Sequence, residues 1–337
     1  MSVDQHEAPW WKKTTVYQIY PRSFLDTNGD GVGDLKGVLA KLDYLAELGV
    51  ETLWLTPFFD SPQRDFGYDI RSYGQVAADH GTWADFDQLL SAVHGRGMRL
   101  VLDMVLNHTS DEHPWFREAL RRKDSKERDY YLFRRGRGEG GSAPPTNWRS
   151  MIGPRGWHYH AASDEWYFAS FLPFQPDLNH RNPDVQKAVL AIVEGFLRKG
   201  VDGLRLDIFN AMFKDAGFLD NPPSLRPLPS EDNADGFFQR NLYTINHPDS
   251  VAFARTLRAH VDAVPGDPRF LVGEVFGPPS LLRSYCGEMG DGLNLVFLFK
   301  TLRTEFSAQT FHSLLDEYER EFAAPLLPTC VLGHHDR

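Results

Sequence analysis

The stretch GLRLDIF, Gly203 to Phe209, carries an apolar face and a charged face. Alternate side chains of a β-strand point the same way, so Arg205 and Asp207 share one face while the leucines and the isoleucine share the other. The branched apolar face is suited to pack under helices. Unpaired ions inside a protein cost several kcal/mol, so the arginine and the aspartate need partners. The stretch therefore predicts a buried strand whose inner face carries paired charges.

Short apolar runs of this kind alternate with helical patterns along most of the chain. Such alternation is typical of a parallel sheet covered by helices, and it indicates the α/β class and a (β/α)8 TIM barrel. The candidate strands begin at Thr15 (TVYQIYPRSF), Glu51 (ETLWLTPFF), Arg99 (RLVLDMVLNH), Gly203 (GLRLDIF), Phe270 (FLVGEVF), Leu293 (LNLVFLF) and Pro328 (PTCVLGHHD).

Helical patterns lie between these strands, where a barrel needs its outer helices. Residues 35–49 place leucines and a valine on one stripe and stop at a glycine, which is a common residue just past a helix. A second helix is predicted to begin at Thr82, with Asp85 three residues later as in a capping box. A third is predicted to begin at Asn182 and to end at Gly200.

Two connections exceed the about two to six residues usual for loops of such a fold. Residues 109–181 are rich in Gly, Pro, Trp and Tyr, and we expect a small inserted domain over the mouth of the barrel. Residues 214–247 are polar and rich in proline, and we expect an active-site loop. The predicted organisation is strands one to three in 1–108, the inserted domain, and strands four to seven in 182–337. Because the sequence stops directly after the seventh strand, we expect a truncated barrel without its eighth strand.

Composition and charge exclude several classes of function. The formal charge of −10 argues against nucleic acid and anionic membrane surfaces as partners, since both call for clustered Lys and Arg. No run of about 18 apolar residues is present, and the first residues lack the apolar stretch of a secretory signal, so a cytoplasmic location is predicted. Cys286 and Cys330 lie in largely apolar sequence and are predicted to be reduced structural thiols.

Polar side chains recur where the predicted strands end. For one strand alone, a structural ion pair explains Arg205 and Asp207 as well as a catalytic role does. Recurrence on several strands favours function, because the carboxyl ends of barrel strands carry active sites. The residues concerned are Asp103, Asn107 and His108, then Asp207, then Glu274, and finally His335 with Asp336.

Paired carboxylates suit chemistry on a glycosidic bond. One carboxylate attacks the anomeric carbon while a protonated one donates to the leaving oxygen, across a gap of about 5 Å in retaining enzymes. A further acidic group and histidine donors would hold ring hydroxyls and stabilise an oxocarbenium-like state. Neutral sugars also fit a protein without a basic patch.

The same motifs resemble those of the α-amylase superfamily, glycoside hydrolase family 13. DMVLNH, GLRLDIF, GEVF and HD occur in the family's order, and QPDLN at 175–179 resembles the marker of its α-glucosidase and oligo-1,6-glucosidase subgroup. The resemblance implies a catalytic barrel, followed in the family by an eighth strand and a C-terminal β domain that are expected to be absent from this chain.

The resemblance also implies roles for individual residues. Asp207 would be the nucleophile, Glu274 the general acid and base, and Asp336 the third carboxylate, which distorts the sugar ring and holds its 2- and 3-hydroxyls. Arg205 would orient Asp207 and keep it ionised. The remaining residues expected to contact the same glucose are His108, His335, Asp103, Tyr68 and Asp69, of which Asp69 would bind the far end of the sugar.

One position departs from the family pattern. The chain has His334 before the His-Asp pair, where the family usually has asparagine. On strand alternation His334 and Asp336 share a face. The change either alters the electrostatics of Asp336 or exchanges one hydrogen-bonding side chain for another.

The segment DTNGDGVGDL, Asp26 to Leu35, has the composition of a cation-binding loop. An EF-hand needs a bidentate Glu at position 12, where this chain has Gly37, and the preceding VYQIYPRSF is predicted to be a strand and not a helix. The hard oxygens suit a structural Ca²⁺ or Mg²⁺, which the resemblance supports; a metal-free hydrogen-bonded turn is the alternative. The predicted ligands are Asp26, Asn28, Asp30 and Asp34 with the Val32 carbonyl.

The leading hypothesis is a retaining α-glucosidase that removes terminal glucose from short α-1,4- or α-1,6-linked oligosaccharides and can also transfer glucose. Isomerase or transferase chemistry on sucrose, maltose or trehalose is the alternative. A non-catalytic barrel like the transporter heavy chains is a third hypothesis, but this chain retains all three carboxylates. The expected partner is a small oligosaccharide or disaccharide, and the expected state is a monomer or homodimer.

Overall fold

The protein is described by a computed structural model covering residues 9–228 and 235–336. Its strands are β1 (Val16–Ile19), β2 (Thr52–Leu55), β3 (Phe59–Asp60), β4 (Ser72–Val76), β5 (Arg99–Met104), β6 (Phe133–Arg134), β7 (Trp157–His160), β8 (Glu165–Phe168), β9 (Gly203–Leu206), β10 (Phe270–Gly273) and β11 (Leu295–Val296).

The α-helices are α1 (Pro21–Phe24), α2 (Leu35–Ala40), α3 (Leu42–Glu47), α4 (Trp83–His94), α5 (Pro114–Arg121), α6 (Pro183–Arg198), α7 (Pro248–Asp262), α8 (Pro279–Cys286), α9 (Lys300–Arg303) and α10 (Ala308–Glu321). Short 3₁₀-helices lie at Trp10–Lys12, Lys126–Tyr130, Glu139–Gly141 and Phe209–Ala211.

The centre of the fold is a parallel sheet in the order β1-β2-β5-β9-β10-β11. Each strand pairs in parallel with the next one in this series, and helices lie between them in the sequence. This successive order is that of the strands of a (β/α)8 barrel, because each crossover returns the chain to the neighbouring position. The predicted fold class is confirmed.

Strand alternation sorts the side chains of β9 as predicted as far as Leu206, whereas Ile208 lies beyond the strand with a φ of 38° and does not join the leucines in the core. Leu204 and Leu206 are fully buried in the main apolar core, which includes the inner face of α6. Arg205 points into the barrel and lies opposite Asp103 of β5 in the sheet register. Below these charges the barrel interior is filled by an apolar cluster of Trp11, Trp54, Val101, Phe270, Val272 and Leu295.

The run that begins at Pro328 does not form the predicted seventh strand. In the described residues 328–336, side chains and not a backbone ladder attach it to the sheet: the Thr329 hydroxyl donates to the Val296 carbonyl at 2.8 Å, and the Thr301 hydroxyl donates to the Val331 carbonyl at 2.6 Å. A β-strand needs regularly spaced backbone hydrogen bonds to its neighbour. Here threonine hydroxyls make the hydrogen bonds instead, so the run attaches to the sheet without becoming a strand.

The first predicted strand is shorter than its apolar run. It ends at Ile19, and the short helix α1 begins at Pro21. Proline fixes φ near the helical value and has no N–H to offer a ladder, so it favours the first turn of a helix. The prediction that no helix precedes the acidic loop at Asp26 is therefore wrong.

The helix signals in the sequence are mostly confirmed. Thr82 caps α4, and its hydroxyl and the Asp85 carboxylate form the predicted capping box. Asn182 caps α6, which ends one residue before Lys199 and two before Gly200. The predicted helix over 35–49 is divided, because Lys41 leaves the helical conformation between α2 and α3.

The 109–181 segment contains its own small sheet. Strands β6, β8 and β7 are antiparallel and adjacent in that order. They pack around an apolar cluster of Leu132, Trp148, Trp157 and Phe168. A compact inserted unit is thus present, while the domain limits at 108/109 and 181/182 stay predictions.

Several sequence predictions concern features outside this core. The predicted loop at 214–247 is described except for residues 229–234, which lie outside the described residues, as do residues 1–8. Cys286 is buried, Cys330 is exposed, and both thiols are free. Within the described part of the chain, the helices are too short or too polar to cross a membrane.

His180, next to the start of α6, makes stability depend on pH. Its ring is buried, its Nε2 lies 2.8 Å from the Leu106 carbonyl, and burial lowers its pKa to about 4. Between about pH 6.5 and pH 4 the unfolded chain binds a proton that the folded chain does not, so stability falls as the pH falls. His180→Gln should remove this dependence, which amounts to about 2 kcal/mol between pH 7.5 and pH 5.0.

Urea denaturation of wild type and His180→Gln at the two pH values measures this difference. An equal loss of stability on acidification in both proteins would contradict the assignment.

Candidate active site

Two carboxylates continue their strands beyond the last paired residue. The Asp207 N–H donates to the Met104 carbonyl at 3.0 Å, and the Glu274 N–H donates to the Leu206 carbonyl at 2.9 Å. Both side chains are thereby fixed by the sheet at its carboxyl edge and line the same cavity. Strand geometry, and not a flexible loop, sets their separation.

Arg205 joins the two carboxylates. Its Nη1 donates to Asp207 Oδ1 at 2.6 Å and to Asp103 Oδ1 at 2.8 Å, while its Nη2 lies 2.7 Å from Glu274 Oε2. The arginine is fully buried and forms three ion pairs. Three carboxylates thus share one guanidinium, and the pairing of Arg205 with Asp207 supplies the partners that the charged face of GLRLDIF requires.

Asp103 is fixed below the cavity by two more donors. The Trp54 indole N–H and the Tyr68 hydroxyl donate to its Oδ2 at 3.1 and 3.0 Å. Burial raises the pKa of Asp103 to about 6 against the opposing effect of Arg205. Asp103 does not line the cavity, so the structure supports a role in holding Arg205 and Tyr68 and not the predicted sugar contact.

His335 and Tyr68 form one stacked pair at the cavity wall. Their rings are 5.4 Å apart with planes 9° from parallel, and Tyr68 Oη lies 2.9 Å from His335 Nε2. The other ring nitrogen, Nδ1, lies 2.6 Å from Gln18 Nε2, an amide donor. This network assigns the proton of His335 to Nε2, which donates to Tyr68, which donates to Asp103.

His334 and Asp336 lie beside this pair. His334 is buried among Trp54, Phe297 and Phe299, and its Nδ1 is 3.4 Å from Asp336 Oδ2. Burial lowers the pKa of His334 to about 4, so the ring is neutral at pH 7 and adds no charge beside Asp336. Burial and the nearby Glu274 raise the pKa of Asp336 to about 6.

Among the described residues, one group has histidine and carboxylate atoms close enough together to share a metal ion, namely His334, His335 and Asp336. Both ring nitrogens of His335 are already used by Gln18 and Tyr68. The cluster is therefore poorly suited to hold a metal.

His108 also forms part of the cavity wall. Its Nε2 is 3.2 Å from the Tyr68 carbonyl and its Nδ1 is 3.3 Å from the Asn107 side-chain amide. Burial lowers the pKa of His108 to about 4, so it is a neutral hydrogen-bonding group at pH 7. The cavity also contacts Phe171 of the inserted unit at this wall.

The structure does not place Asp69 on the cavity. Asp69 is fully buried, and its carboxylate accepts from the Ser61 hydroxyl at 2.8 Å and from the Arg64 N–H at 3.2 Å. Asp65, four residues earlier, lines the cavity instead and accepts from Gln175 of the QPDLN motif at 2.6 Å. The predicted sugar contact at this position is corrected: Asp69 braces the loop, and Asp65 faces the cavity.

The cavity has a volume of about 670 Å³, within the usual range for small-molecule sites. Its lining combines carboxylates and histidines with a set of mainly aromatic and apolar side chains, here called the cavity mouth. Most of the mouth residues come from loops without a sequence period and Arg303 ends α9, which explains why sequence reasoning did not identify them. They are Tyr20, Phe66, Met151, Ile152, Phe237, Asn241, Phe276, Phe299 and Arg303.

The acidic loop after α1 is ordered by its own side chains. Asp26, Asn28 and Asp30 each accept a backbone N–H from the residue two positions later, at 2.8 to 3.0 Å. Hydrogen bonds from loop amides, that of Gly31 first, lower the pKa of Asp26. Carboxylate and amide oxygens retain further lone pairs, so the three side chains fit a hard cation.

Asp34 differs from the other predicted ligands. One of its oxygens accepts from the Gly37 N–H at 2.7 Å and caps α2, and the other accepts from the Thr27 hydroxyl at 2.7 Å. In this structure Asp34 therefore acts as the N-cap of α2.

The comparison with protein families identifies the chain. Residues 18–328 match the family model described as Alpha amylase, catalytic domain. The chain belongs to the α-amylase family. The resemblance read from the strand-end motifs is thereby confirmed.

Curated relatives in the α-amylase family act on different α-glucosides. The chain is 38% identical to a probable alpha-glucosidase of Rhizobium meliloti over 99% of its own length and 61% of the relative's. It is 40% identical to an oligo-1,6-glucosidase of Halalkalibacterium halodurans, covering 86% of this chain and 50% of that protein. It is 44% identical to the trehalose-6-phosphate hydrolase of Escherichia coli, covering 75% and 47%.

Solved structures agree with the α-amylase fold. The alpha-glucosyl transfer enzyme XgtA matches with a TM-score of 0.86 and 38% identity, over 96% of this chain and 60% of that one. The trehalulose synthase MutB of Pseudomonas mesoacidophila matches with a TM-score of 0.86 and 33% identity, over 97% and 58%. The chain thus spans about half to three-fifths of the length of the proteins it matches.

Separate substitutions of Asp69 and Asp65 should distinguish the aspartate that stabilises the loop from the one that lines the cavity. Asp69→Asn would present an amide to donors that now bind a buried carboxylate, and it should lower the free energy of unfolding by about 1–3 kcal/mol. Asp65→Asn should cost much less, because burial raises the pKa of Asp65 and the substitution removes a charge that burial disfavours.

Urea denaturation of both variants at pH 7 measures the difference. Equal destabilisation by the two substitutions would contradict the assignment of Asp69 as the bracing residue.

Proposed function

We propose that the protein is a retaining α-glucosidase that removes terminal glucose from short, neutral α-glucosides. The observation that carries this proposal is the pair of strand-end carboxylates, Asp207 and Glu274, held by one guanidinium on the floor of a sugar-sized cavity. Family membership supports it. The whole protein's activity stays a proposal because the chain spans only part of the length of its relatives.

In this mechanism Asp207 attacks the anomeric carbon while Glu274 protonates the glycosidic oxygen. The carbon–oxygen bond breaks, the aglycone leaves as an alcohol, and a glucosyl ester forms on Asp207. Glu274, now ionised, takes a proton from water, whose oxygen attacks the anomeric carbon and releases glucose and the Asp207 carboxylate. Arg205 keeps Asp207 oriented through the 2.6 Å hydrogen bond to Oδ1.

The position of the catalytic proton follows from the contacts of Glu274. Its Oε2 receives the Ile208 N–H at 3.0 Å and faces Arg205 at 2.7 Å. Both contacts favour negative charge on Oε2, so the proton to be donated belongs on Oε1. Burial raises the pKa of Asp207, and Arg205 opposes this rise through its charge and its 2.6 Å hydrogen bond, which favour the ionised nucleophile.

Several neutral or acidic groups are placed to hold the glucose. Asp336 is half exposed at the cavity and suits the 2- and 3-hydroxyls, where a carboxylate acceptor strengthens as positive charge develops on the ring. His335 and His108 border the sugar with neutral rings, whose nitrogens are held by protein partners. Asp65, and not Asp69, is the carboxylate suited to the far end of the sugar, with Tyr68 as the stacking surface below it.

The charge of the cavity favours neutral substrates over phosphorylated ones. Its described lining includes four acidic side chains, those of Asp65, Asp207, Glu274 and Asp336, of which Glu274 is proposed to carry a proton, while Arg303 supplies a positive charge. A phosphate group brings close to two negative charges at pH 7 into this field. Trehalose-6-phosphate, the substrate named for one relative, is therefore disfavoured here.

Glucosyl transfer or isomerisation is the second candidate, and the cavity mouth supplies its support. Phe276 and Phe299 line the cavity beside Glu274, with ring centroids 6.1 Å apart. Aromatic faces hold sugar rings through their apolar C–H surfaces and exclude water, so a sugar bound there can intercept the glucosyl ester. A non-catalytic barrel is disfavoured, since the three carboxylates meet at one cavity.

Product analysis of the complete gene product that contains this chain tests the function. We expect free glucose from maltose or isomaltose, little or no hydrolysis of trehalose-6-phosphate, and a loss of several orders of magnitude in kcat for Asp207→Asn and Glu274→Gln without loss of folding. Formation of a new disaccharide from sucrose or maltose as the main product would favour the second candidate.

The exposed Asp43→Asn and Glu47→Gln on α3 are matched controls that should leave kcat unchanged. Near-normal turnover by either cavity variant would refute the assigned roles.

We also propose that the loop at Asp26 binds a structural Ca²⁺ or Mg²⁺. The oxygens of Asp26, Asn28 and Asp30 with the Val32 carbonyl would hold it, and Asp34 would complete the site only by giving up contacts at the start of α2. The ion would neutralise like charges in the loop and stiffen it. The loop lies outside the cavity lining, so no chemical step passes through the ion.

Chelation should lower the melting temperature, and added Ca²⁺ or Mg²⁺ should restore it, because an ion that binds only the folded state stabilises it. Asp30→Asn should abolish this response. A melting temperature that is insensitive to chelator in wild type would support the metal-free turn instead. The cytoplasmic location and the monomeric or dimeric state stay predictions.

A further inference from the structure

Lys214 is buried where three segments of the chain meet. It follows β9 by eight residues, and its ammonium forms an ion pair with Asp177 of the inserted segment. The same ammonium lies 2.9 Å from Oδ1 of Asn107, which follows β5. Lys214 and Asp177 are both buried, and Lys214 does not line the catalytic cavity.

Asp177 is held from its other side by the inserted segment. Its carboxylate accepts from the Ser170 N–H at 2.8 Å and from the Ser170 hydroxyl at 2.5 Å. Its backbone forms an antiparallel bridge with His108. One ion pair therefore fastens the QPDLN motif to the edge of the barrel beside a predicted sugar-binding histidine.

The contact with Lys214 fixes the side-chain amide of Asn107. An ammonium has only donors, so the Asn107 oxygen faces Lys214 and the amide NH₂ faces His108 Nδ1 at 3.3 Å. Nδ1 is then the acceptor of the ring, and the proton lies on Nε2, which is 3.2 Å from the Tyr68 carbonyl. Burial keeps the ring neutral at pH 7 by lowering its pKa to about 4.

We propose that Lys214 is a positioning residue that acts through Asn107 to fix the orientation and the Nε2–H tautomer of His108. It contacts no substrate. The kinetic part of this inference rests on the proposed glucosidase function, whereas the tautomer and the docking of the inserted segment do not.

Charge compensation alone is the competing explanation. On that view Lys214 serves only to neutralise buried Asp177, and a neutral pair of similar shape would replace both without loss. Buried ion pairs are often replaceable in this way. The two explanations differ in what happens when both charges are removed together.

The decisive variants are Lys214→Met and the double variant Lys214→Met/Asp177→Asn, in the complete gene product that contains this chain. The single variant leaves an uncompensated carboxylate and should melt at a lower temperature. The double variant should regain most of the wild-type melting temperature but keep a kcat/KM lowered by about tenfold to hundredfold, since Asn107 has lost its anchor. Lys36→Met, an exposed lysine paired with Asp85, is the matched control.

The ring of His108 gives a readout that does not require activity. ¹⁵N NMR of the imidazoles should find His108 as the Nε2–H tautomer in wild type and Lys36→Met, and as a mixture of tautomers in the double variant. An Nδ1–H ring in wild type, or an unchanged tautomer in the double variant, would overturn the proposal. So would wild-type kcat/KM in a double variant that folds normally.

Failure of the proposed glucosidase function would give a different experimental result from failure of the role proposed for Lys214. If wild type hydrolyses no α-glucoside, the glucosidase assignment fails, while the melting temperatures and the His108 tautomer still decide the role of Lys214.

Discussion

The buried guanidinium of Arg205 is the constraint on which the site depends. β9 lies between β5 and β10 in the sheet, so a side chain on its inner face reaches carboxylates on both neighbouring strands. Burial of this charge would cost several kcal/mol without partners, and Asp103, Asp207 and Glu274 supply them. The same contacts fix the relative positions of Asp207 and Glu274, the two groups proposed to carry the chemistry. Stability and the proposed catalytic geometry therefore rest on one ion network.

The periodic parts of the fold could be predicted from the sequence because they obey a simple rule. Strand alternation placed Arg205 inside and Leu204 outside, and capping chemistry placed the start of α4 at Thr82. Asp207 and Glu274 could be picked out for the same reason, since they extend strands whose pattern is readable, whereas Asp336 lies on a run that forms no strand. The parallel order of neighbouring strands then brings their ends together.

The errors fall where no period exists. Asp65 and Asp69 lie four residues apart in one loop, and no pattern indicates which of them turns toward the cavity; the structure shows the carboxylate of Asp69 taken up by backbone and hydroxyl donors of that loop. The run after Pro328 has β-type composition, but threonine hydroxyls replace its ladder. The amino-acid composition of a segment indicates its β-propensity but not which groups its backbone will hydrogen-bond.

The wall of the cavity shows a division of labour within the chain. The groups proposed to break and form bonds, Asp207 and Glu274, are placed by the sheet, whereas those that border the rest of a substrate come from loops and from the inserted unit. Loop residues that contact neither Arg205 nor Asp103 can change without disturbing the ion network, whereas Tyr68 donates to Asp103 and is tied to it. Such a division allows the substrate to differ between proteins that share one barrel. The relatives fit this view, since some are named for hydrolysis of different α-glucosides and a solved structure is named for glucosyl transfer. We therefore expect the residues that select the substrate to lie at the cavity mouth, around Phe276, Phe299 and Arg303. His108, which pairs with Asp177 of the QPDLN motif, connects the inserted segment to the barrel.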